Sequence, residues 1–215
     1  MDASRANYKA LVRSGYNSCA AAYHEARSAE ATSELDVLLN RLVNGASVLD
    51  IGCGAGVPVA RALSERFNVT GVDISDGMIE LARANVPAGR FIRADVMTVA
   101  FNPSTFDAVT AFYSIFHLPR SEHRDLFRRI HQWLRVGGYL LCLLPRYDEE
   151  TYLDEFFGST MYWSSYAQED YERHLAEIGF DILEMSIAGS GFDESVGAEP
   201  ESHPVVLAQK RKAGQ

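Results

Sequence analysis

Val48-Leu49-Asp50-Ile51-Gly52-Cys53-Gly54-Ala55-Gly56 is the stretch on which the reading of this chain turns. It opens with a short apolar run, as a buried strand does. Glycine then recurs at every second position just before the helical spacing of Val57, Ala60 and Leu63 begins. The order is strand, tight turn, helix. Glycine tolerates positive φ and, lacking a Cβ, lets another molecule lie directly against the backbone. The helix start offers unpaired N–H groups, but the Asp50 carboxylate beside them disfavours an incoming phosphate, so the expected guest is cationic or neutral.

Downstream the alternation repeats. The first helix is expected to reach Phe67, Val69 to Asp73 reads as a second buried strand ending in an acid, and Ser75 or Asp76 caps a helix carrying Met78, Ile79, Leu81 and Ala82. Phe91 to Ala94 is a third strand followed at once by Asp95, and Phe106 to Tyr113 a fourth. After the loop Ser114 to Arg120 comes an amphipathic helix capped near Ser121, its stripe formed by Leu126, Phe127, Ile130, Trp133 and Leu134. The interspersed acids and arginines on its other side read as a solvated face. Gly137-Gly138 is expected to end it, and Tyr139 to Leu144 reads as a fifth strand.

Strands alternating with helices imply a doubly wound, parallel sheet covered on both faces, with ligands beyond the carboxyl ends of the strands. Asp50, Asp73 and Asp95 fall at successive strand ends and are expected to line one crevice.

Upstream, Arg5 to Val43 is helical in pattern, and Tyr16 and Tyr23, seven residues apart, share a helix face. Beyond the fifth strand, Arg146 to Ala167 has no clear period but holds Tyr147, Tyr152, Phe156, Phe157, Tyr162, Trp163 and Tyr166, which marks it as a lid. A last helix, Glu169 to Glu177, closes at Gly179. Phe180 to Ile187 and Pro204 to Gln209 read as final strands around the loop Gly189 to Ser202, with a frayed tail from Lys210. The expected organisation is one domain: a helical cap over 1–45, a cofactor-binding core over 46–145, the lid over 146–167 and the rest of the sheet over 168–209.

With 215 residues, 47% of them hydrophobic, the chain can bury a full core, and a formal charge of −9 argues against a phosphate-backbone partner. Cys19, Cys53 and Cys142 lack disulfide or zinc spacing and fit a reducing cytoplasm; no metal site is expected. Met1 to Arg5 lacks the layout of a signal peptide, and no run approaches the roughly 20 apolar residues of a membrane span, so no membrane partner is expected.

Val48 to Gly56 resembles motif I of the class I S-adenosylmethionine-dependent methyltransferases, and Asp73, Asp95 and Leu134-Arg135-Val136-Gly137-Gly138-Tyr139 resemble their later motifs. The likeness spans Ser47 to Leu144. It implies a Rossmann-like α/β fold with a seven-stranded, mainly parallel sheet whose last strand is antiparallel. S-adenosylmethionine would be the cofactor and S-adenosylhomocysteine the product. By the same resemblance Gly52, Gly54 and Gly56 let the backbone approach the amino-acid end of the cofactor, Asp50 sits near its amino group, and Asp73 holds the ribose hydroxyls. Ile74 and Val96 sandwich the adenine, Asp95 accepts from its exocyclic amine, and Phe112 flanks the cofactor. Tyr16 and Tyr23 are similar to the tyrosine pair that closes over it in small-molecule members.

Methyl transfer from a sulfonium is an in-line displacement in which the protein chiefly positions the acceptor. His117 follows the fourth strand at the mouth of the crevice, either as general base or as a hydrogen-bonding group for the loop or the cofactor carboxylate. Tyr113 and Trp163 are candidates for the acceptor pocket. His203 reaches it only if the loop Gly189 to Ser202 folds back, and His24, His123, His131 and His174 read as surface positions on helices. A small-molecule acceptor is expected, with oxygen, nitrogen and carbon all open, on a monomer or homodimer. The rival readings are a nucleotide-dependent oxidoreductase, whose Gly-x-Gly-x-x-Gly spacing differs from Gly52-Cys53-Gly54-Ala55-Gly56, and a non-catalytic S-adenosylmethionine-binding protein.

Overall fold

The computed structural model describes residues 3–27, 33–145, 147–188 and 203–212. In chain order the elements are α1 (Ala3–Arg27), a 3₁₀ turn (Ser33–Leu35), α2 (Asp36–Leu39), β1 (Ser47–Ile51), α3 (Val59–Ser64), β2 (Asn68–Asp73), α4 (Asp76–Asn85), β3 (Arg90–Arg93) and β4 (Phe106–Ala111). A second 3₁₀ turn (Ile115–His117), α5 (Arg120–Trp133), β5 (Leu134–Leu143), β6 (Glu149–Phe156), β7 (Ser159–Ser165), α6 (Gln168–Ile178), β8 (Phe180–Ala188) and β9 (His203–Lys210) complete them.

Seven strands form one sheet in the order β3-β2-β1-β4-β5-β9-β8. The first five run parallel, and β9 enters antiparallel between β5 and β8. The continuous apolar runs of β1 and β4 follow from this, because a parallel strand is covered on both faces. Val48 and Val69 pack with Leu38, Leu63 and Ile79 on one side, while Leu49, Ile51 and Val109 pack with Leu126, Phe127, Ile130 and Tyr171 on the other. Strand order reverses between β1 and β4, so the crevice expected of such sheets opens beside the glycine turn.

Across the carboxyl ends of the strands lies α1. Asn17 Oδ1 accepts from Ser75 Oγ at 2.7 Å and from the Gly77 N–H at 3.2 Å, which ties α1 to the start of α4. Ser75 is itself the N-cap of α4, its Oγ accepting from the Met78 N–H at 3.1 Å. Farther back, Tyr8 and Val12 pack with Met161 and Tyr162 of β7.

Several local expectations are corrected. The helix after the glycine turn spans only Val59–Ser64, and the N-terminal helical pattern divides into α1, a 3₁₀ turn and the short α2. β5 begins at Leu134 rather than Tyr139: the chain passes straight from α5 into the strand, and Gly137, at φ 77°, lies where the pairing with β4 shifts register. Where the sequence shows no clear period, Glu149–Phe156 and Ser159–Ser165 form a two-stranded antiparallel hairpin, turning at Phe157 and Gly158, both at positive φ.

His123 and His174 are buried, not surface, residues. His123 Nε2 donates to the Leu118 carbonyl and Nδ1 accepts from the Tyr171 hydroxyl, each at 2.9 Å. Lys210 is the last residue of β9 and donates to the carbonyls of His131 and Leu134 at 2.7 and 2.9 Å, so it is anchored rather than frayed. The loop Gly189 to Ser202 lies outside the described residues. No helix among the described residues is long and apolar enough to cross a membrane.

Candidate active site

A cleft at the carboxyl ends of β1, β2 and β4 is lined by Gly52, Gly54, Asp73, Ile74, Asp95, Val96 and Phe112, and covered by Tyr8, Lys9, Tyr16 and Tyr23 of α1. The three turn glycines have three different surroundings. A Cβ on Gly52 would stand 2.3 Å from the Ser114 Cβ, so this position has to be bare for the turn after β4 to pack. On Gly56 it would press at 3.2 Å on Ala82 of α4 and on Val86, which follows that helix. Gly54, at φ 51°, has no protein atom within 4 Å of that position: its backbone faces open space in the cleft.

Asp73 ends β2 at the base of this space. Its Oδ2 accepts from the Gly54 N–H at 3.0 Å and its Oδ1 from the Ser75 N–H at 2.8 Å. Burial pushes its pKa up, and the amide donors pull the other way. At the far end Asp95 Oδ1 accepts from the Met97 N–H at 2.8 Å, while Oδ2 meets Lys9 Nζ of α1 at 2.5 Å.

The structure separates two expected members from this group. Asp50 does not line the cleft: it is 2% exposed, its Oδ1 accepts from Thr110 Oγ1 at 2.8 Å, and burial raises its pKa to about 7. Alternation along β1 sets Asp50 on the face opposite Leu49 and Ile51, beside Thr110, its cross-strand partner on β4, which takes up its carboxylate. Gly56 likewise packs on α4 behind the turn.

Tyr16, Tyr23, Tyr113 and His117 line the cleft and also a second cavity of about 560 Å³, which makes them the partition between two adjoining spaces. The hairpin supplies the outer wall of the second cavity with Tyr152, Phe156 and Trp163, and its acids Glu149, Asp154 and Glu155. On the inner side stand Arg27, Phe116 and His203. The Arg27 guanidinium is buried 3.9 Å from the Tyr113 ring centroid, a cation–π contact, and the His203 ring meets Tyr113 edge-on at 5.6 Å.

Tyr16 and Tyr23 touch edge to face at 5.4 Å. His117 Nδ1 lies 2.8 Å from the main-chain carbonyl of Tyr162; a carbonyl only accepts, so Nδ1 carries the proton. Nε2 is therefore an acceptor, and the Tyr16 hydroxyl donates to it at 2.7 Å. Burial lowers His117 to about 4 and raises Tyr16 well above the ordinary phenol value, so both are neutral at pH 7.

Sequence reasoning passed over Lys9 and Arg27, which α1 brings in from far along the chain, and the hairpin's Tyr152 and Phe156 as individual wall residues. His203, expected at the site only if the loop Gly189 to Ser202 folds back, is the first residue of β9 and its ring lies against Tyr113 and Phe116. The periodic signal that could have found Arg27 is its spacing of four from Tyr23 on one helix face.

The donor set suits an adenosyl group with an amino-acid tail. Two carboxylates, Asp73 and Asp95, line the cleft together with the apolar side chains of Ile74 and Val96, and the bare backbone of Gly54 faces open space beside Asp73.

Residues 48–138 match a family model described as a methyltransferase domain. The sterol 24-C-methyltransferase of Kluyveromyces lactis is 31% identical over 172 residues, 68% of this chain and 43% of that protein. A demethylmenaquinone methyltransferase of Staphylococcus epidermidis is 27% identical over 105 residues, 46% of this chain and again 43% of the relative. The chain thus spans less than half the length of these curated relatives. Among solved structures, the 1,6-didemethyltoxoflavin-N1-methyltransferase of Burkholderia thailandensis, holding 1,6-didemethyltoxoflavin and S-adenosylhomocysteine, superposes with a TM-score of 0.74 at 20% identity, covering 99% of this chain and 92% of that one.

Proposed function

By its matched domain and its fold the chain belongs to the class I S-adenosylmethionine-dependent methyltransferases, and from that premise we propose that it methylates a small molecule held in the cavity beyond Tyr16 and His117. When bound, S-adenosylmethionine supplies a methyl group already activated by its sulfonium, whose loss leaves neutral S-adenosylhomocysteine. Asp73 would accept from the ribose hydroxyls, Ile74 and Val96 would flank the adenine, and Phe112 would close one wall. Asp95, whose Oδ2 meets Lys9, would accept from the adenine amine.

The single observation that carries this reading is the adjoining of two spaces, one built for an adenosyl group around Asp73 and Gly54, the other walled by aromatic rings. What the chain contributes to rate is position and dryness: it holds the acceptor in line and keeps water out, which is worth several kcal/mol, up to roughly 7–11 in ideal systems. Tyr113, at φ 51° and braced by Arg27, shapes the acceptor side of the partition. The chain's formal charge of −9 favours a small acceptor over a nucleic acid, and we place the reaction in the cytoplasm on the strength of three buried, unpaired cysteines.

Methyl-labelled S-adenosylmethionine incubated with the protein and a cell extract tests the acceptor class. Label is expected in the filterable small-molecule fraction. Label confined to protein or nucleic acid contradicts it.

A further inference from the structure

The partition between the two cavities contains a hydrogen-bonded chain whose direction can be read from its end. The Tyr162 carbonyl fixes the proton of His117 on Nδ1, His117 Nε2 then accepts from Tyr16, and the Tyr16 oxygen keeps a lone pair for one more donor. Because Tyr16 covers Nε2, an acceptor in the aromatic cavity meets the phenol and not the imidazole. From this geometry, and resting on the methyl-transfer reading above, we infer that Tyr16 and His117 form one proton relay. Tyr16 is the catalytic residue that meets the acceptor, and that acceptor is a planar aromatic molecule presenting an O–H or N–H.

The proton balance closes on these residues. As the acceptor heteroatom gains the methyl group it loses its proton to Tyr16 Oη, Tyr16 gives its own proton to His117 Nε2, and the resulting imidazolium stays hydrogen-bonded through Nδ1 to the Tyr162 carbonyl until it releases the proton to solvent. A base this weak suffices, because a heteroatom that has begun to bond a methyl cation becomes a strong acid. Its weakness also keeps it in the accepting form across the neutral range. Burial dominates for both members of the pair and keeps them neutral. For Tyr16, burial, Tyr23, Asp73 and Cys19 favour the neutral phenol and Arg27 opposes them; for His117, burial favours the neutral ring and the Tyr162 carbonyl opposes it.

The walls select the shape. Trp163 stands 5.7 Å from Tyr152, 5.9 Å from Phe156 and 5.8 Å from the His117 ring, and Tyr16 lies 5.9 Å from Phe156. These rings pack against one another edge-on or tilted, and together they give a cavity of about 560 Å³ a continuous aromatic wall, room enough for two or three fused rings. A tertiary amine or a thioether has no proton to give and leaves the relay without a task.

Two measurements test the inference on protein saturated with S-adenosylhomocysteine. Nitrogen-15 NMR of histidine is expected to show His117 protonated on Nδ1 and bare on Nε2 from pH 5.5 to 8, with its titration moving upward in Tyr16→Phe. A proton on Nε2, or titration near 6.5 in the unaltered protein, overturns the relay. Quenching of Trp163 fluorescence then compares 1-naphthol with 1-methoxynaphthalene. The naphthol is expected to bind about two- to tenfold tighter, the range of one net hydrogen bond, and Tyr16→Phe to erase the difference. Equal binding, or none, overturns the acceptor class. Absence of S-adenosylhomocysteine binding in a prior calorimetric titration would instead bring down the methyl-transfer reading itself.

Discussion

Tyr16 Oη lies 2.7 Å from His117 Nε2, and this contact joins α1 to the turn that follows β4. The His117 ring is buried and Tyr16 half-buried, so removing the donor takes one net hydrogen bond from Nε2. Tyr16→Phe is expected to cost about 0.5–1.5 kcal/mol of stability, the net worth of one hydrogen bond, in urea unfolding at pH 7. A change below a few tenths of a kcal/mol would mean that the two side chains do not meet in solution.

Gly54 and Gly56 share positive φ but differ in what a Cβ would touch. Alanine at either is strained by about 1 kcal/mol. At Gly54 the methyl enters the cleft, so affinity for S-adenosylhomocysteine should fall at least tenfold. At Gly56 it presses on α4, so stability should fall further while affinity changes little. Calorimetry with thermal melts separates the two, and identical profiles would contradict the assignment.

Lys9 holds Asp95 Oδ2, on the carboxylate proposed to receive the adenine amine. The pair is partly exposed and its net worth is small, about 0.2–1 kcal/mol. Lys9→Ala should therefore raise S-adenosylhomocysteine affinity slightly, by up to about fivefold. Weaker binding would show that Lys9 assists the ligand instead of competing with it.

Burial shifts Asp50 and His123 in opposite directions, and the two have opposite linkage to pH. His123 is held at about 4, below its ordinary 6.5, so the unfolded chain binds a proton that the folded chain refuses; its stability is full above pH 6.5 and lost as pH falls toward 4. Asp50 is raised to about 7 from 3.8, so its contribution is full below 3.8 and lost as pH rises to 7. Asp50→Asn keeps the acceptor for Thr110 and removes that loss. Its unfolding free energy relative to the unaltered protein should climb between pH 4 and 7 by on the order of 3 kcal/mol. A difference that is flat with pH would mean that Asp50 ionises normally.

Much of the cleft was legible because its signals are local. Glycines at alternate positions, and Asp73 and Asp95 at strand ends, follow from spacing along one stretch of chain. His123 was misread although the signal was present: it lies three, four and seven residues before Leu126, Phe127 and Ile130, on the buried stripe of α5. The hairpin escaped because β6 is exposed along nearly its whole length, which leaves no alternation to read. Only Gly158 between two β-rich runs hinted at its turn. The Tyr162 carbonyl that sets the His117 tautomer is a main-chain atom brought in by packing, and no side-chain pattern announces it.

The most direct test of the central claim is a calorimetric titration of the protein with S-adenosylmethionine, S-adenosylhomocysteine and NAD in parallel, repeated on Asp73→Asn. The first two are expected to bind one to one, and Asp73→Asn to weaken them by about 1–3 kcal/mol through loss of a charged hydrogen-bond acceptor. Binding of NAD alone, or adenosyl ligands indifferent to Asp73, would contradict the assignment of the cleft.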